Sequence, residues 1–268
     1  MRILFSIVIA ALSLQLYAQE DLNKTDANGL KQGKWEKKFE NGQIRYTGQF
    51  IDDKPVGAFF YYYENGGKSS EVTYENESDV SHARFFHKNA TIMAEGDYYK
   101  RQKHGEWKYY DNQTALSLIE HYENGVLQGN RVIYFLNGQV SAIEPYENGV
   151  KNGAFKEYFP NGMVKLEGTY LDGNFDGDYV QYFDDGTVYI EGQYKAAVKD
   201  GQWYYYDGEG GIAVQELWKT GELQKRVFAE GYKPIEKPVD IPEGDILDKD
   251  ELMEQYFNEM NGGGNGGQ

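Results

Sequence analysis

The sequence predicts an all-β protein, an elongated antiparallel array of β-hairpin repeats followed by a short C-terminal helix. The stretch from Gly153 to Asp176 is GAFKEYFPNGMVKLEGTYLDGNFD, and its leading position recurs every 24 residues without an insertion. A fixed period of this size indicates a repeat array. The 32 glycines and 24 tyrosines, beside 6 prolines, favour short strands and turns. Eight copies span residues 33–224, and they start at Gly33, Gly57, Ser81, Gly105, Gly129, Gly153, Gly177 and Gly201.

Each repeat contains two turn signals, which divide it into two strands of about seven residues. Asn161-Gly162 and its counterparts lie between strand-like runs, a pattern that favours a two-residue turn with positive φ at both positions. Eight repeats of two strands predict a meander of about sixteen strands. The second turn falls near Asn124-Gly125, Asn148-Gly149, Asp172-Gly173 and Thr220-Gly221.

The predicted turn also sets which residues lie opposite each other. A two-residue loop at Asn161-Gly162 pairs Phe159 with Val164, and Phe155 with Gly168. A large ring opposite a glycine covers bare backbone, so we expect these pairs to pack. The same arithmetic opposes Trp35 to Gly48, Tyr179 to Gly192, Trp107 to Glu120 and Trp203 to Glu216.

Strict alternation along the strands predicts one packing face and one mostly polar face. The packing face is expected to hold the leading glycines and the ring series of Trp35, Phe59, Phe155 and Trp203. It is also expected to hold an aliphatic series and a second aromatic series. These are Ile44, Ile92, Leu116, Val140, Val164, Val188 and Ile212, and Phe50, Tyr74, Tyr98, Tyr122, Tyr146, Tyr170, Tyr194 and Trp218.

The polar face carries one aromatic residue in every repeat after the first, where Lys38 stands instead. Such a row, with rings about 10 Å apart, could stack on sugars or grip a protein partner through large rigid contacts. The alternative is that the rings only shield the sheet and pair with their neighbours. The candidate binding residues are Tyr62, Phe86, Tyr110, Tyr134, Tyr158, Tyr182 and Tyr206.

The N-terminus and the composition predict an exported protein. Residues 1–18 combine Arg2, an apolar run and a small residue, Ala18, as in a cleaved secretory signal, so we expect a periplasmic or secreted location. No membrane insertion is expected after cleavage. The formal charge of −16 becomes −17 without Arg2, which disfavours nucleic acid and anionic lipid as partners. The chain has 0 cysteines, which excludes disulfides and thiolate chemistry.

The flanking segments differ in character from the repeats. Residues 19–32 form a polar N-terminal segment, and residues 225–244 contain prolines typical of an extended linker. Residues 245–260 place Ile246, Met253, Phe257 and Met260 on one helical face and predict an acidic helix. That helix either covers the open end of the array, as solenoid ends require, or docks on a partner. The Gly-rich residues 261–268 are expected to be disordered.

Catalytic and metal sites are not indicated. Asp172, Asn174 and Asp176 resemble the start of a calcium loop, but Phe183 stands where the bidentate glutamate belongs. His82 and His87 alternate to opposite faces, so they are not expected to share a metal. We therefore predict no enzyme activity, no metal and no cofactor. The degenerate third and fourth repeats, which contain all the histidines, support a weaker hypothesis of a locally altered partner-contact surface.

The units GKWEKKFENGQIRYTGQF, GAFKEYFPNGMVKLEGTYLDG and GDYVQYFDDGTVYIEGQYK resemble MORN-variant repeats. They are similar to those of the bacterial group labelled toxin–antitoxin system YwqK-family antitoxin. The resemblance covers about 192 of 268 residues (eight units of 24). It implies an elongated hairpin array that acts as an interaction or scaffold module, without catalytic residues.

A narrower resemblance concerns the run DGQWYYYDGEGG, residues 200–211, which looks like one unit of choline- or glucan-binding hairpin repeats. It implies carbohydrate or cell-wall binding. The sequence therefore predicts a non-catalytic exported scaffold that binds a protein partner along its sheet, and envelope glycan is the alternative ligand.

Overall fold

A computed structural model describes residues 21–75 and 78–231, which form one antiparallel sheet of 20 strands. The strands are β1 (Lys24–Thr25), β2 (Lys31–Lys38), β3 (Ile44–Ile51), β4 (Lys54–Tyr62), β5 (Lys68–Tyr74), β6 (Val80–Phe86), β7 (Ile92–Tyr99), β8 (Gln102–Tyr110), β9 (Leu116–Glu123), β10 (Val126–Leu127), β11 (Gly129–Tyr134), β12 (Val140–Glu147), β13 (Val150–Lys151), β14 (Gly153–Tyr158), β15 (Val164–Leu171), β16 (Asn174–Tyr182), β17 (Val188–Lys195), β18 (Val198–Tyr206), β19 (Ile212–Lys219) and β20 (Glu222–Phe228).

The prediction of an all-β antiparallel repeat array is confirmed. Successive strands pair with one another, except that β10 and β11 both pair with β9, and β13 and β14 both pair with β12. Within the described ranges β20 pairs only with β19 and β1 only with β2. The sheet is therefore open. The sixteen expected strands become 20 because β1 and β20 are added and two strands are divided, into β10 with β11 and β13 with β14. Strand β20 extends past residue 224 to Phe228.

Three of the sequence predictions fall on residues that the structure does not describe. The signal segment 1–18, the helix at 245–260 and the tail at 261–268 all lie outside residues 21–75 and 78–231. In the described part of the chain, helices are absent, and so is any helical segment long and apolar enough to cross a membrane.

The turn between repeats is the two-residue turn with positive φ at both positions. Asp172 and Gly173 have φ of 48° and 82°, and Asn148 and Gly149 have φ of 51° and 80°. These values match the turn type whose twist suits a tight hairpin. Each turn also contacts the previous one, because the Gly173 amide donates to the Lys151 carbonyl at 2.8 Å.

The turn within each repeat is different, and the prediction of a two-residue loop there is wrong. The Gly162 amide donates to the Phe159 carbonyl, and the Phe159 amide donates to the Met163 carbonyl, both at 2.8 Å. Only Gly162, at 86°, has positive φ in this turn. This is a three-residue loop, a turn that ends in one left-handed residue. Tyr158, not Phe159, therefore pairs with Val164.

The asparagine before that glycine has a side-chain role that its turn propensity does not reveal. Asn161 Oδ1 accepts a hydrogen bond from the Met163 amide, and Asn161 Nδ2 donates to the Asp184 carbonyl, both at 2.9 Å. The second bond reaches the same turn of the next repeat. Asn41, Asn89 and Asn137 make equivalent bonds 23 residues ahead. The Asn side chains thus tie neighbouring turns together along one margin of the sheet.

A β-bulge after each three-residue turn reverses the predicted orientation of the aliphatic series. Met93 and Ala94 are consecutive yet both buried, and so are Ala213 and Val214, which is the signature of a bulge. The residue before them is consequently on the opposite face. Ile92 pairs with Phe86 and Ile212 with Tyr206. The series from Ile44 to Ile212 was predicted on the packing face, and that prediction is wrong because one extra residue shifts the alternation.

We call the packing face the inner face; it holds Phe59, Trp107, Phe155 and Trp203, each at most 3 % exposed. The rings do cover glycines, but mostly those of the preceding hairpin. A Cβ added at Gly96 would lie 2.5 Å from the Trp107 ring, and one at Gly192 would lie 2.2 Å from Trp203. The predicted pairs Trp35–Gly48 and Tyr179–Gly192 are backbone partners, yet Gly48 is covered by Phe59. Among the pairs predicted to pack, Phe155 lies on its own partner Gly168.

The preceding-hairpin contact explains why Trp107 and Trp203 face glutamates within their own hairpins. Their glycines, Gly96 and Gly192, lie on the other side. The indole of Trp107 donates to the Asp97 carbonyl at 3.0 Å, which fixes the ring over Gly96. The side of each ring that faces away from its glycine is covered by a lysine. Lys103 Nζ lies 5.1 Å from the Trp107 centroid, and Lys199 Nζ lies 4.2 Å from the Trp203 centroid.

Candidate functional site: the aromatic row of the outer face

The opposite, outer face carries the candidate binding residues. Each of the seven is the last residue of a strand, and each is half-buried. The strands β4, β6, β8, β11, β14, β16 and β18 end at Tyr62, Phe86, Tyr110, Tyr134, Tyr158, Tyr182 and Tyr206, respectively. The structure therefore places all of them on one face, at the same level of successive hairpins.

Each ring has an apolar partner across the hairpin, except for one. Tyr134 pairs with Val140, Tyr158 with Val164, and Tyr62 with Lys68. Val140 and Val164 are members of the aliphatic series that the bulge moves to the outer face. The outer face is consequently more apolar than alternation predicts, because a ring and an aliphatic side chain meet in most repeats.

Three of the tyrosines are fixed by a carboxylate on the preceding strand. The hydroxyls of Tyr110, Tyr182 and Tyr206 donate to Glu95, Glu167 and Glu191 at 2.9, 2.7 and 2.7 Å. Burial and the Glu167 bond raise the pKa of Tyr182 to about 12. The Glu191 bond and burial raise the pKa of Tyr206 to about 12. These hydroxyls therefore remain protonated donors, and their capacity is used within the sheet.

Tyr62, Tyr134 and Tyr158 differ, since their hydroxyls make no hydrogen bond to another described residue. The position that supplies the glutamate elsewhere is Thr47, Ile119 or Ile143 in these three cases. The sequence signal is a glutamate 15 residues before the tyrosine, as in Glu167 and Tyr182, and strand alternation alone does not reveal it.

The centre of the outer face is an apolar patch, which we define as Ile119, Val132, Ile143, Tyr134 and Tyr158. Val132 pairs with both Ile119 and Ile143, so the three aliphatic side chains follow one another across β9, β11 and β12. All five members are half-buried. Lys108 pairs with Ile119 on one side and Lys156 with Ile143 on the other. Apolar surface bordered by charge is typical of a protein contact.

In the second to fourth repeats, the part of the outer face beside the aromatic row is polar instead. It forms an open groove of about 430 Å³ lined by charged side chains. Arg84 pairs with Glu95 at 3.2 Å, and Lys108 pairs with Glu106 at 2.9 Å. Most of the charge in this groove is thus neutralised internally, and the altered surface predicted for these repeats is a network of ion pairs.

His82 connects this groove to the turn before its strand. Its Nε2 lies 2.9 Å from Glu75 and its Nδ1 2.5 Å from Asp97. The Glu75 bond, followed by the Asp97 bond, raises the pKa of His82 above its ordinary value. The stabilisation is complete below the ordinary histidine pKa and is lost as the pH rises through the raised one. The side chain is 51 % exposed, so the effect is small.

The remaining sequence candidates have structural roles. His87 Nε2 lies 3.0 Å from the Tyr110 carbonyl of the next turn. Asp176, from the calcium-like run, accepts a hydrogen bond from the Ala196 amide at 2.9 Å. Across the described ranges, groups of three or more metal-ligating side chains in a suitable arrangement are absent.

Comparison with known proteins supports the repeat assignment. A sequence model described as MORN repeat variant matches residues 31–52, 55–76, 151–172 and 175–196. Each matched segment begins two residues before the leading position of a repeat, and the matches cover the first, second, sixth and seventh repeats. A search of curated proteins finds no match.

Proposed function

We propose that this chain, four segments of which match the MORN repeat variant, is a non-catalytic scaffold that binds a protein partner along its outer face. The observation that carries the proposal is the apolar patch. There, Tyr134 and Tyr158 present hydroxyls that make no hydrogen bond to the described residues, beside Ile119, Val132 and Ile143. Aromatic rings with an unused polar end are favoured anchors in protein interfaces.

We also propose that the protein is exported and that a helix forms near its C-terminus. The signal-like residues 1–18 support export to the periplasm or the exterior, and residues 245–260 are proposed to form the acidic helix. Catalysis, a cofactor and nucleic acid are not part of the proposed function.

We prefer a protein partner to a glycan because the aromatic rings of the row are partly covered by neighbouring side chains. All seven are half-buried and most are paired with an aliphatic side chain, which reduces the ring surface that a sugar could stack on. The run that resembles glycan-binding hairpins offers little more, since Trp203 is 1 % exposed on the inner face.

The test is a pull-down from the envelope fraction of the producing cell with residues 19–268. We compare wild type with Tyr134→Ser/Tyr158→Ser and with Tyr182→Ser/Tyr206→Ser, whose hydroxyls are bonded to glutamates. The first variant should lose at least about tenfold in affinity with near-normal stability. The second should chiefly lose stability.

Two results would contradict the proposal. Retention of the same protein by Tyr134→Ser/Tyr158→Ser would exclude the patch as the contact. Recovery of peptidoglycan or polysaccharide without a protein would favour the glycan alternative.

A further inference from the structure

One row of directly paired residues crosses the outer face through the middle of the apolar patch. From Glu95 the row passes to Lys108, then through the three aliphatic members of the patch, and then to Lys156 and Glu167. Each lysine therefore has a glutamate opposite it on one side and an isoleucine opposite it on the other. The patch is an interruption in a row of alternating charge.

The interruption falls at the position where other repeats supply a glutamate. That position is glutamate in the second, third, sixth and seventh repeats, as at Glu95, Glu167 and Glu191, and it is Ile119 and Ile143 in the fourth and fifth. The three named carboxylates each accept a hydrogen bond from an outer-face tyrosine. The two tyrosines of the patch are those for which this acceptor is replaced by isoleucine.

The backbone around the patch is the same as that around the bonded tyrosines. In each case a residue of the preceding strand is paired with the residue two places before the tyrosine. Glu95 has this relation to Tyr110, and Ile119 has it to Tyr134. A carboxylate that accepts from the Tyr134 hydroxyl in the same way must therefore come from another molecule.

We propose that the protein partner of the patch presents a carboxylate side chain flanked by aliphatic residues. The carboxylate accepts a hydrogen bond from the hydroxyl of Tyr134 or Tyr158, in the way that Glu167 accepts one from Tyr182. The aliphatic residues cover the aliphatic members of the patch. This inference rests on the proposed function, and it adds the chemistry of the partner.

The charges around the patch agree with a partner that carries few carboxylates. Lys108 and Lys156 border the patch, and their side chains are 40 % and 46 % exposed although they pair with Glu106 and Glu167. They are therefore accessible to a carboxylate placed at the tyrosines. The formal charge of −16 on the whole chain opposes a strongly acidic partner. Hydrogen bonds to an ionised acceptor are about twice as strong as neutral ones, so one carboxylate at each tyrosine is sufficient.

A display library of short random peptides, selected on the full chain, supplies the probe. Peptides whose binding is lost in Tyr134→Ser/Tyr158→Ser are kept, and each acidic residue in them is replaced by the corresponding amide. Wild type should bind the acidic form about tenfold more tightly than the amide form. Tyr134→Phe/Tyr158→Phe, which keeps the rings and removes the hydroxyls, should bind the two forms almost equally.

The peptide results distinguish this inference from the proposed function. Peptides that depend on the two tyrosines but contain no acidic residue would overturn the inference and leave the proposed function standing. Equal binding of the acid and amide forms by wild type would do the same. A library that yields no peptide dependent on Tyr134 and Tyr158 would contradict the proposed function itself, and the inference with it.

A second variant restores the carboxylate within the chain. Ile119→Glu/Ile143→Glu should satisfy both hydroxyls internally, so the acidic peptides should bind at least about tenfold more weakly. Its stability should stay near that of wild type, because each new glutamate lies opposite a lysine. Undiminished binding of the acidic peptides by this variant would also overturn the inference.

The matched control is Asn130→Glu/Ala154→Glu. It adds the same charge at exposed positions of β11 and β14, where the new residues lie opposite Pro145 and Thr169. Because these positions are outside the row that crosses the patch, the control should weaken binding of the acidic peptides much less. An equal loss in both variants would reduce the effect to general charge repulsion and would overturn the inference.

Discussion

Two neighbouring junctions of the sheet join consecutive repeats in opposite ways. Between the third and fourth repeats, Trp107 lies flat on Gly96. Between the fourth and fifth, Arg131 lies beside Glu120, with Nε 3.4 Å from Oε1. Both junctions have the same two-residue shift of register. The backbone arrangement is therefore the same at both junctions. The residue at the position of Gly96 and Glu120 determines which side chain the next repeat can place against it.

A third junction, between the second and third repeats, shows the same rule with small residues. Val72 and Ala83 are direct partners, 0 % and 2 % exposed. Here Ser81 replaces the leading glycine, and the register is continuous. The glycines at this position have positive φ, such as 70° at Gly105, which serine adopts at a cost. With serine at this position the register does not shift, and no ring is placed over the preceding hairpin. Val72 opposite Ala83 fills the space instead.

The largest expected effect comes from filling the glycine site. Gly96→Val should lower the free energy of unfolding by about 3 kcal/mol, because its side chain overlaps the Trp107 ring. The same change in a Trp107→Ala background should cost much less, because the ring that the valine overlaps is gone. Denaturant unfolding followed by circular dichroism measures both.

The matched control for that substitution is Gly96→Ala against Gly208→Ala. A Cβ at Gly208 meets nothing within 4 Å, so only the first should destabilise. Additive effects of Gly96→Val and Trp107→Ala would show that ring and glycine do not depend on each other.

An intermediate effect is expected at the Glu–Arg junction. Arg131→Ala should cost about 2 kcal/mol, because it leaves the Glu120 carboxylate largely buried without its cation. Tyr122 continues to donate to Glu120 at 2.8 Å, which limits the loss. Glu120→Val/Arg131→Ala should recover most of the stability. The same unfolding measurement compares this double variant with Arg131→Ala. If the double variant is no more stable, the proposed equivalence of the junctions is wrong.

The smallest effect is a difference in pH dependence between the two kinds of junction. At the last repeat, Glu216 pairs with Arg226 at 2.6 Å. Burial raises the pKa of Glu216, but hydrogen bonds from Trp218, Tyr205 and Arg226 outweigh it and leave the pKa below its ordinary value. The stabilisation is therefore present above the ordinary glutamate pKa and is lost as the pH falls through the lowered one.

Unfolding of wild type and Glu216→Gln between pH 7 and pH 3 tests this. Wild type should be the more stable at neutral pH, and the gap should close at the acid end. The gap between wild type and Gly96→Ala should stay constant over the same range, since no titrating group is involved. A constant gap for Glu216→Gln would remove the electrostatic distinction between the junctions.

Several features of the candidate site followed from the sequence alone. The period of 24 residues placed Tyr62 to Tyr206 at equivalent positions, and alternation put them on the face opposite Phe59 and Trp203. The opposition of Phe155 to Gly168 was also predictable. The central patch was not, because Ile119, Val132 and Ile143 belong to three strands and become neighbours only through the pairing of β11 with β9 and β12.

The sequence by itself determined the repeat, the strands and the positions of the turns, because these depend on local patterns of turn residues and alternation. Only the tertiary structure decided which ring covers which glycine and which tyrosines retain an unbonded hydroxyl. Gly96 and Trp107, or Glu167 and Tyr182, belong to different hairpins, and their contact depends on how one hairpin is placed against the next. A register shift at a bulge changes that placement for every side chain beyond it.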